Sequence, residues 1–204
     1  LDWERRQGAL VLEDDYDGEF RYDVPPLPPL AALAPEHVVY LGSFSKTMFP
    51  GLRLGFAAGH RQIIAAMASY RACMDYAAPL QPQQALARFI ADGGYERHIH
   101  RSRRLYARKR KAFCDLVTSR LDGVRVTGIS SGIDACLQMP DGVQATTLSR
   151  RLARDGVHLP AMARYSCGPN PVDNALVAGY GPLQPREMAR AIDRIARALN
   201  AVVG

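Results

Sequence analysis

Leu41–Gly55, LGSFSKTMFPGLRLG, is the stretch on which the reading of this chain turns. Lys46 stands among three small hydroxyls, Ser43, Ser45 and Thr47, and is followed by Pro50-Gly51 and Arg53. The run before it, Val38-Val39-Tyr40-Leu41, is short, apolar and β-branched, which predicts a buried strand ending at Gly42 and Ser43. A lysine at a strand's end, ringed by hydroxyls and loop N–H donors, suits attachment to an aldehyde that also carries a phosphate. Its amine must be held close and partly desolvated to be nucleophilic at neutral pH. The hydroxyls, the loop amides and the forked guanidinium of Arg53 suit the phosphate. S-x-S-K by itself is equally compatible with a surface lysine in a polar loop.

Towards the N-terminus, Leu10-Val11-Leu12 predicts a second buried strand, which runs into Glu13-Asp14-Asp15-Tyr16-Asp17. Adjacent carboxylates at a strand end are costly to bury without a cation. Pyridoxal phosphate supplies one, because its protonated ring nitrogen wants a carboxylate and its aldehyde wants a lysine. Tyr16 is then placed to hydrogen-bond the ring oxygen. Taken alone, the same residues also fit a solvated acidic turn with a tyrosine beneath it.

Together the stretches EDDYDGEFRYD, PPLPPL and VVYLGSFSKTMFPGLRLGF closely resemble the aminotransferase-like domain of the MocR subgroup of GntR-type bacterial transcription regulators. More broadly the chain resembles a fold-type-I aminotransferase of classes I and II. The likeness covers nearly the whole chain and is strongest from Ala9 to Gly59. It implies that Lys46 is the Schiff-base lysine, that Asp14 pairs with the pyridine nitrogen, and that Tyr16 meets the ring oxygen. Ser43, Ser45 and Arg53 would hold the phosphate of pyridoxal 5'-phosphate. Free aminotransferases with this segment usually carry a proline before the tyrosine; Asp15 stands there, and EFRYD follows the regulator pattern.

The chain has 204 residues, 48% of them apolar and 23% charged, an ordinary balance for a globular protein. Its apolar runs are far too short to span a membrane. The start, Leu1–Arg6, is charged and amphipathic and resembles the interior of a helix rather than a signal peptide. The expectation is a piece of a longer cytoplasmic protein. Cys73, Cys114, Cys136 and Cys167 lie 41, 22 and 31 residues apart, a spacing with no metal or redox pattern. The histidines form no ligand pattern either, so no metal is expected. The net charge of +6 has a local source: Arg97–Lys111 holds eight Lys/Arg and no acid. Such a run raises a nucleic-acid reading, but Ile99, Leu105, Phe113 and Leu116 make an apolar stripe, and the solvated face of a long helix is preferred.

In chain order, a helix end closed by Gly8 precedes the strand Ala9–Asp14. Asp17–Pro35 reads as irregular because of Pro25-Pro26-Leu27-Pro28-Pro29. A strand over Arg53–Ala58 follows the lysine loop, then helices over Gln62–Tyr70, Pro82–Ala91 and Tyr95–Leu121. Beyond these, Val124–Thr127 and Ala135–Met139 read as strands. Thr146 or Thr147 caps a short helix stopped by Gly156. Val157–Leu159 reads as a brief strand, and Pro185–Val202 as an amphipathic terminal helix.

The fold class is α/β: the C-terminal part of a fold-type-I large domain, mostly parallel sheet with flanking helices, plus a small α+β C-terminal domain. Residues 1–95 fall in the large domain, 96–121 in a connecting helix and 122–204 in the small domain. By resemblance, a winged helix-turn-helix and the first half of the large domain lie upstream, and the whole protein is a homodimer that binds DNA through that absent domain. Its effector would be a small amine, an amino acid or pyridoxal phosphate itself. The rival reading is a working aminotransferase. On the substrate side the family clamps a carboxylate with an arginine two residues before the glycine of an R-L-G-[FY] strand. The matching stretch, Leu176–Tyr180, has Val177 there, which leaves Arg164 as the nearest alternative.

Overall fold

The computed structural model describes residues 1–203 except 24, 26, 75, 77, 78 and 169–171, so Pro26 of the proline run lies outside the described residues. The chain forms two compact units, Leu1–Ser102 and Arg103–Gly204.

The first unit is built on three strands. Helix α1 (Asp2–Gln7) ends at Gly8, whose φ of 61° is the left-handed stop expected of it. Strand β1 (Val11–Asp15) lies parallel to β2 (Val38–Ser43), with Val11 opposite Val38 and Asp15 opposite Gly42. Between them stands α2 (Leu30–Leu33), a turn of helix inside the segment read as irregular. The N–H groups of Leu30 and Ala31 donate to the Glu13 carboxylate at 2.8 and 3.0 Å. A side chain 17 residues upstream thus serves the open helix end, a partner that local patterning does not reveal. After β2 comes α3 (Phe44–Thr47), then β3 (Gly55–Ala58), antiparallel to β2. The strand starts later than the sequence indicates because Pro50–Leu52 forms a 3-10 turn and Arg53 takes left-handed backbone, φ 52° and ψ 32°.

Helices α4 (Arg61–Met74) and α5 (Leu80–Ala91) follow, and the long α6 (Gly94–Arg120) begins in this unit. Val38 and Val39 are buried, as the reading of β2 requires, while Tyr40 and Leu41 are half-buried; Phe20, outside the strands, is buried as well. No residue of α4 is buried: Ile63 and Ile64 are half-buried, Met67 is exposed and Met74 is 85% exposed. Leu12, on β1, is 61% exposed.

The second unit has its own dry core. Strands β4 (Arg125–Thr127), β5 (Asp134–Gln138) and β6 (Ala175–Gly179) form an antiparallel sheet in that order. Leu137 sits opposite Leu176, and Ala135 opposite Ala178, on the face towards α7 (Ala145–Arg154) and α8 (Pro185–Val203). Leu137, Leu148, Leu152, Leu176 and Tyr180 have no exposed surface, and burying each aliphatic side chain contributes about 1.5–3 kcal/mol. Met188, Ile192, Ile195 and Leu199 form the expected stripe of α8, while Val202 stands outside it at 38% exposure. On α6 the stripe runs through Ile99, Phe113 and Val117, not Leu105, which is exposed.

Two local readings are corrected. Neither threonine caps α7; Asp173 does, accepting from Thr146 N–H and Thr146 Oγ1, each at 2.8 Å. The expected strand at Val157–Leu159 is absent. Its chain meets β6 only at Pro160–Ala161, where Val177 N–H donates to Pro160 O at 2.8 Å.

Candidate functional site

Most of the residues singled out by sequence gather at one end of the first unit's sheet. Parallel β1 and β2 both finish there, at Asp15 and Ser43, and β3 begins there at Gly55. The carboxyl ends of parallel strands are where open α/β sheets bind ligands. Alternation along β1 sends Glu13 and Asp15 to one face and Leu12 and Asp14 to the other.

The three carboxylates are not equivalent. Glu13 holds the start of α2. Asp15 Oδ2 accepts from the Tyr40 hydroxyl at 2.9 Å, and its Oδ1 accepts from Gly18 N–H at 2.9 Å. Gly18 is packed so tightly that a Cβ there would lie 2.4 Å from Asp15 Oδ1. Burial, then the hydrogen bond to Asp15 and its charge, push the Tyr40 phenol well above the ordinary tyrosine range. Asp14, one residue away, is exposed and makes no hydrogen bond or ion pair among the described residues. The burial argument for a cation therefore does not hold within this unit: neutral donors satisfy Glu13 and Asp15, and Asp14 is open to solvent.

Lys46 lies in the single turn of α3, with Nζ 5.8 Å from the centroid of the Tyr16 ring, at the outer reach of a cation–π contact. Ser43 caps that turn, its Oγ accepting from Ser45 N–H at 3.2 Å, which leaves the Ser43 hydroxyl proton to donate elsewhere. Lys46 is exposed, so the first unit does not itself supply the partial desolvation expected of a nucleophilic amine. Arg53 is exposed and has no hydrogen bond or ion pair among the described residues. Its left-handed backbone costs about 1–2 kcal/mol for a residue with a Cβ, and Phe44 N–H, donating to Leu54 O at 3.0 Å, pins the next residue to the start of α3.

Residues that sequence reading did not single out hold α3 from α6. His98 Nε2 lies 2.7 Å from Thr47 O; since a carbonyl only accepts, that nitrogen carries the proton. Tyr95 meets Phe44 edge-on at 5.7 Å and donates to Glu19 Oε1 at 3.2 Å. Burial first, and the Glu19 charge with it, push the Tyr95 phenol up to about 12. The only sequence signal for this pair is its i, i+3 spacing, which places both on one helix face.

In the second unit, Arg164 lies in the 3-10 turn Met162–Tyr165, exposed and unpaired among the described residues. Val177 stands on β6 opposite Cys136. Among the described residues no group of three or more His, Cys, Asp or Glu side chains could hold a metal ion, and no helix is long and apolar enough to cross a membrane.

The sequence model described as aminotransferase class I and II matches residues 2–195. The chain belongs to the aminotransferase class I and II family. Within it, the chain is 33% identical over 181 residues to the HTH-type pyridoxine biosynthesis transcriptional regulator PdxR of Corynebacterium glutamicum, covering 88% of this chain and 39% of that protein. It is 30% identical over 206 residues to the probable rhizopine catabolism regulatory protein MocR of Rhizobium meliloti, covering 97% of this chain and 40% of that protein. Among solved structures, the α-aminoadipate aminotransferase LysN of Thermus thermophilus, complexed with N-(5'-phosphopyridoxyl)-L-leucine, superposes with a TM-score of 0.87. That match has 28% identity and covers 99% of this chain and 53% of the other. The family chain described here thus spans about two-fifths of the length of those regulators and about half of that enzyme.

Proposed function

We propose that this chain is the pyridoxal-phosphate-binding, aminotransferase-like effector-sensing part of a GntR/MocR-type bacterial transcriptional regulator. The observation that carries the cofactor reading is that Asp14, Tyr16 and Lys46 all stand at the carboxyl end of two parallel strands, with Lys46 Nζ 5.8 Å from the Tyr16 ring and Asp14 without a partner among the described residues. The donor set fits the group: an amine for its aldehyde, a carboxylate for its ring nitrogen, and hydroxyls with a free guanidinium for its phosphate. When bound, the cofactor supplies an electrophilic aldehyde and an electron-withdrawing ring. Lys46 offers the amine, Asp14 keeps the ring nitrogen protonated, and Tyr16 donates to the ring oxygen. Ser43 and Ser45 would donate hydrogen bonds that orient the phosphate, and Arg53 would offset its charge.

In this reading residues 1–95 close the cofactor-binding large domain, 96–121 connect, and 122–204 form the small domain. The whole protein is a cytoplasmic homodimer that reads DNA through an N-terminal winged helix-turn-helix. Its effector is a small amine, an amino acid or the cofactor itself, with Arg164 the candidate for an acid group. Support comes from the regulators matched along nearly the whole of this chain. The likeness to a solved aminotransferase favours a second reading, an enzyme exchanging amino groups at the same lysine. The deciding experiment loads the full-length protein with pyridoxal phosphate, reduces it with borohydride and maps the labelled peptide. Label on Lys46 supports the site, and label on Lys109 or Lys111 refutes it. Operator retardation that responds to the loaded cofactor separates the regulator from the enzyme.

A further inference from the structure

The last turns of α7 and the middle of α8 bring five guanidinium groups together: Arg150, Arg151 and Arg154 from one helix, Arg194 and Arg197 from the other. All five are exposed. Arg151, Arg194, Arg197 and Asp155 wall a depression of about 360 Å³. Thr147, Arg150, Arg151, Arg154 and Asp155 wall a second of about 540 Å³. The two share Arg151 and Asp155, so they form one trough with a single carboxylate on its wall.

Part of this charge has a local use. Arg194 Nη1 donates to Asp155 O at 2.7 Å, which satisfies a carbonyl just past the end of α7. Positive charge at that end also complements the helix dipole. One guanidinium meets this need. Arg150, Arg151, Arg154 and Arg197 make no hydrogen bond or ion pair among the described residues. Some exposed cations elsewhere face a carboxylate, as Arg88 does Asp92, Lys111 does Asp115 and Arg120 does Asp193, and others such as Arg53 and Arg164 do not; in the trough four unpaired guanidiniums stand together. Four unpaired like charges in one trough repel one another, and a polyanion removes that repulsion.

We propose that the trough is a docking surface for the phosphate backbone of duplex DNA flanking the operator, a contact that adds affinity but reads no sequence. The inference rests on the regulator reading above. Guanidinium forks match phosphate oxygens, and such contacts position a duplex without specifying bases. The packing of α7 against α8 fixes the backbone positions from which the arginines project.

The test uses the full-length regulator and operator DNA with long flanks, titrated by fluorescence anisotropy over a range of salt. The variant is Arg150→Gln, Arg151→Gln and Arg197→Gln combined, which spares Arg194 and its carbonyl. Each lost phosphate contact lowers the salt slope by about 0.9. Three lost contacts lower it by about 2.7, so across a fourfold rise in salt the variant loses about 40-fold less affinity than the parent. With DNA trimmed to the recognised bases the two proteins should bind alike. Arg88→Gln, a charge change elsewhere, should leave the slope alone. An unchanged slope in the triple variant, or an equal change in Arg88→Gln, overturns the proposal while leaving the regulator reading intact. Protection of the trough by inorganic pyrophosphate with no change in slope would mean a small phosphorylated ligand instead, and also overturns it. If the parent protein retards no DNA, the regulator reading fails and takes this inference with it.

Discussion

Asp14 and Asp15 are adjacent, identical in chemistry and opposite in expected behaviour. Asp15 anchors a half-buried network, accepting from Tyr40 Oη and Gly18 N–H at 2.9 Å each. Asp15→Asn removes the charge from both bonds and turns one acceptor into a donor. A hydrogen bond to a charged group contributes about 1.5–3 kcal/mol and a neutral one about 0.5–1.5. Discounting for partial exposure, the two together lose about 1.5 kcal/mol, or about 3–6 °C in the melting of a chain this size. The same change draws the Tyr40 phenol back towards the ordinary range, since Asp15 helps to raise it. That fall is readable by ultraviolet titration of tyrosine. Asp14→Asn breaks no bond in the described residues, so its melting point should move by no more than about 0.5 kcal/mol's worth. Its effect should appear in pyridoxal phosphate affinity, which weakens while Asp15→Asn leaves it closer to normal. Equal melting losses from the two, or equal losses of cofactor affinity, would refute the division of roles.

In the full-length protein Lys46→Ala should abolish borohydride-trapped cofactor without lowering the melting temperature of the cofactor-free protein, because Lys46 is exposed; absorbance and mass spectrometry decide. Tyr180→Phe deletes a fully buried hydroxyl that donates to Gly132 O at 2.7 Å. It should destabilise by about 1 kcal/mol, or about 2–4 °C in calorimetry. Tyr95 is held up to about 12 by burial, so the fold favours its neutral form. That stability is whole below about pH 10 and drains away as the pH climbs through about 12; Tyr95→Phe should flatten the alkaline loss in urea midpoints measured at stepped pH. With Val177 offering no donor, common α-amino acids should convert the loaded full-length protein to its amino form slowly or not at all; fast, saturable conversion would promote the enzyme reading.

The sequence by itself determined the chemical alphabet of the site and the order of its elements. Lys46 with its hydroxyls and Arg53, and the acidic run after an apolar strand, were legible because strand ends and reactive side chains are local facts. So was the stripe of α8, since helical period is written in the spacing of Met188, Ile192, Ile195 and Leu199. Tertiary structure alone decided which carboxylate is left free. Strand alternation separates Asp14 from Glu13 and Asp15, and Gly18 serves Asp15 from three residues away, but the donors that complete Glu13 and Asp15, Leu30 N–H and the Tyr40 hydroxyl, lie 17 and 25 residues away. The same holds for the helix caps supplied by Glu13 and Asp173, and for His98 on Thr47 O, whose partners lie 17, 27 and 51 residues apart. Hydrogen bonds are satisfied by whatever the fold brings near, and distance along the chain carries no trace of them.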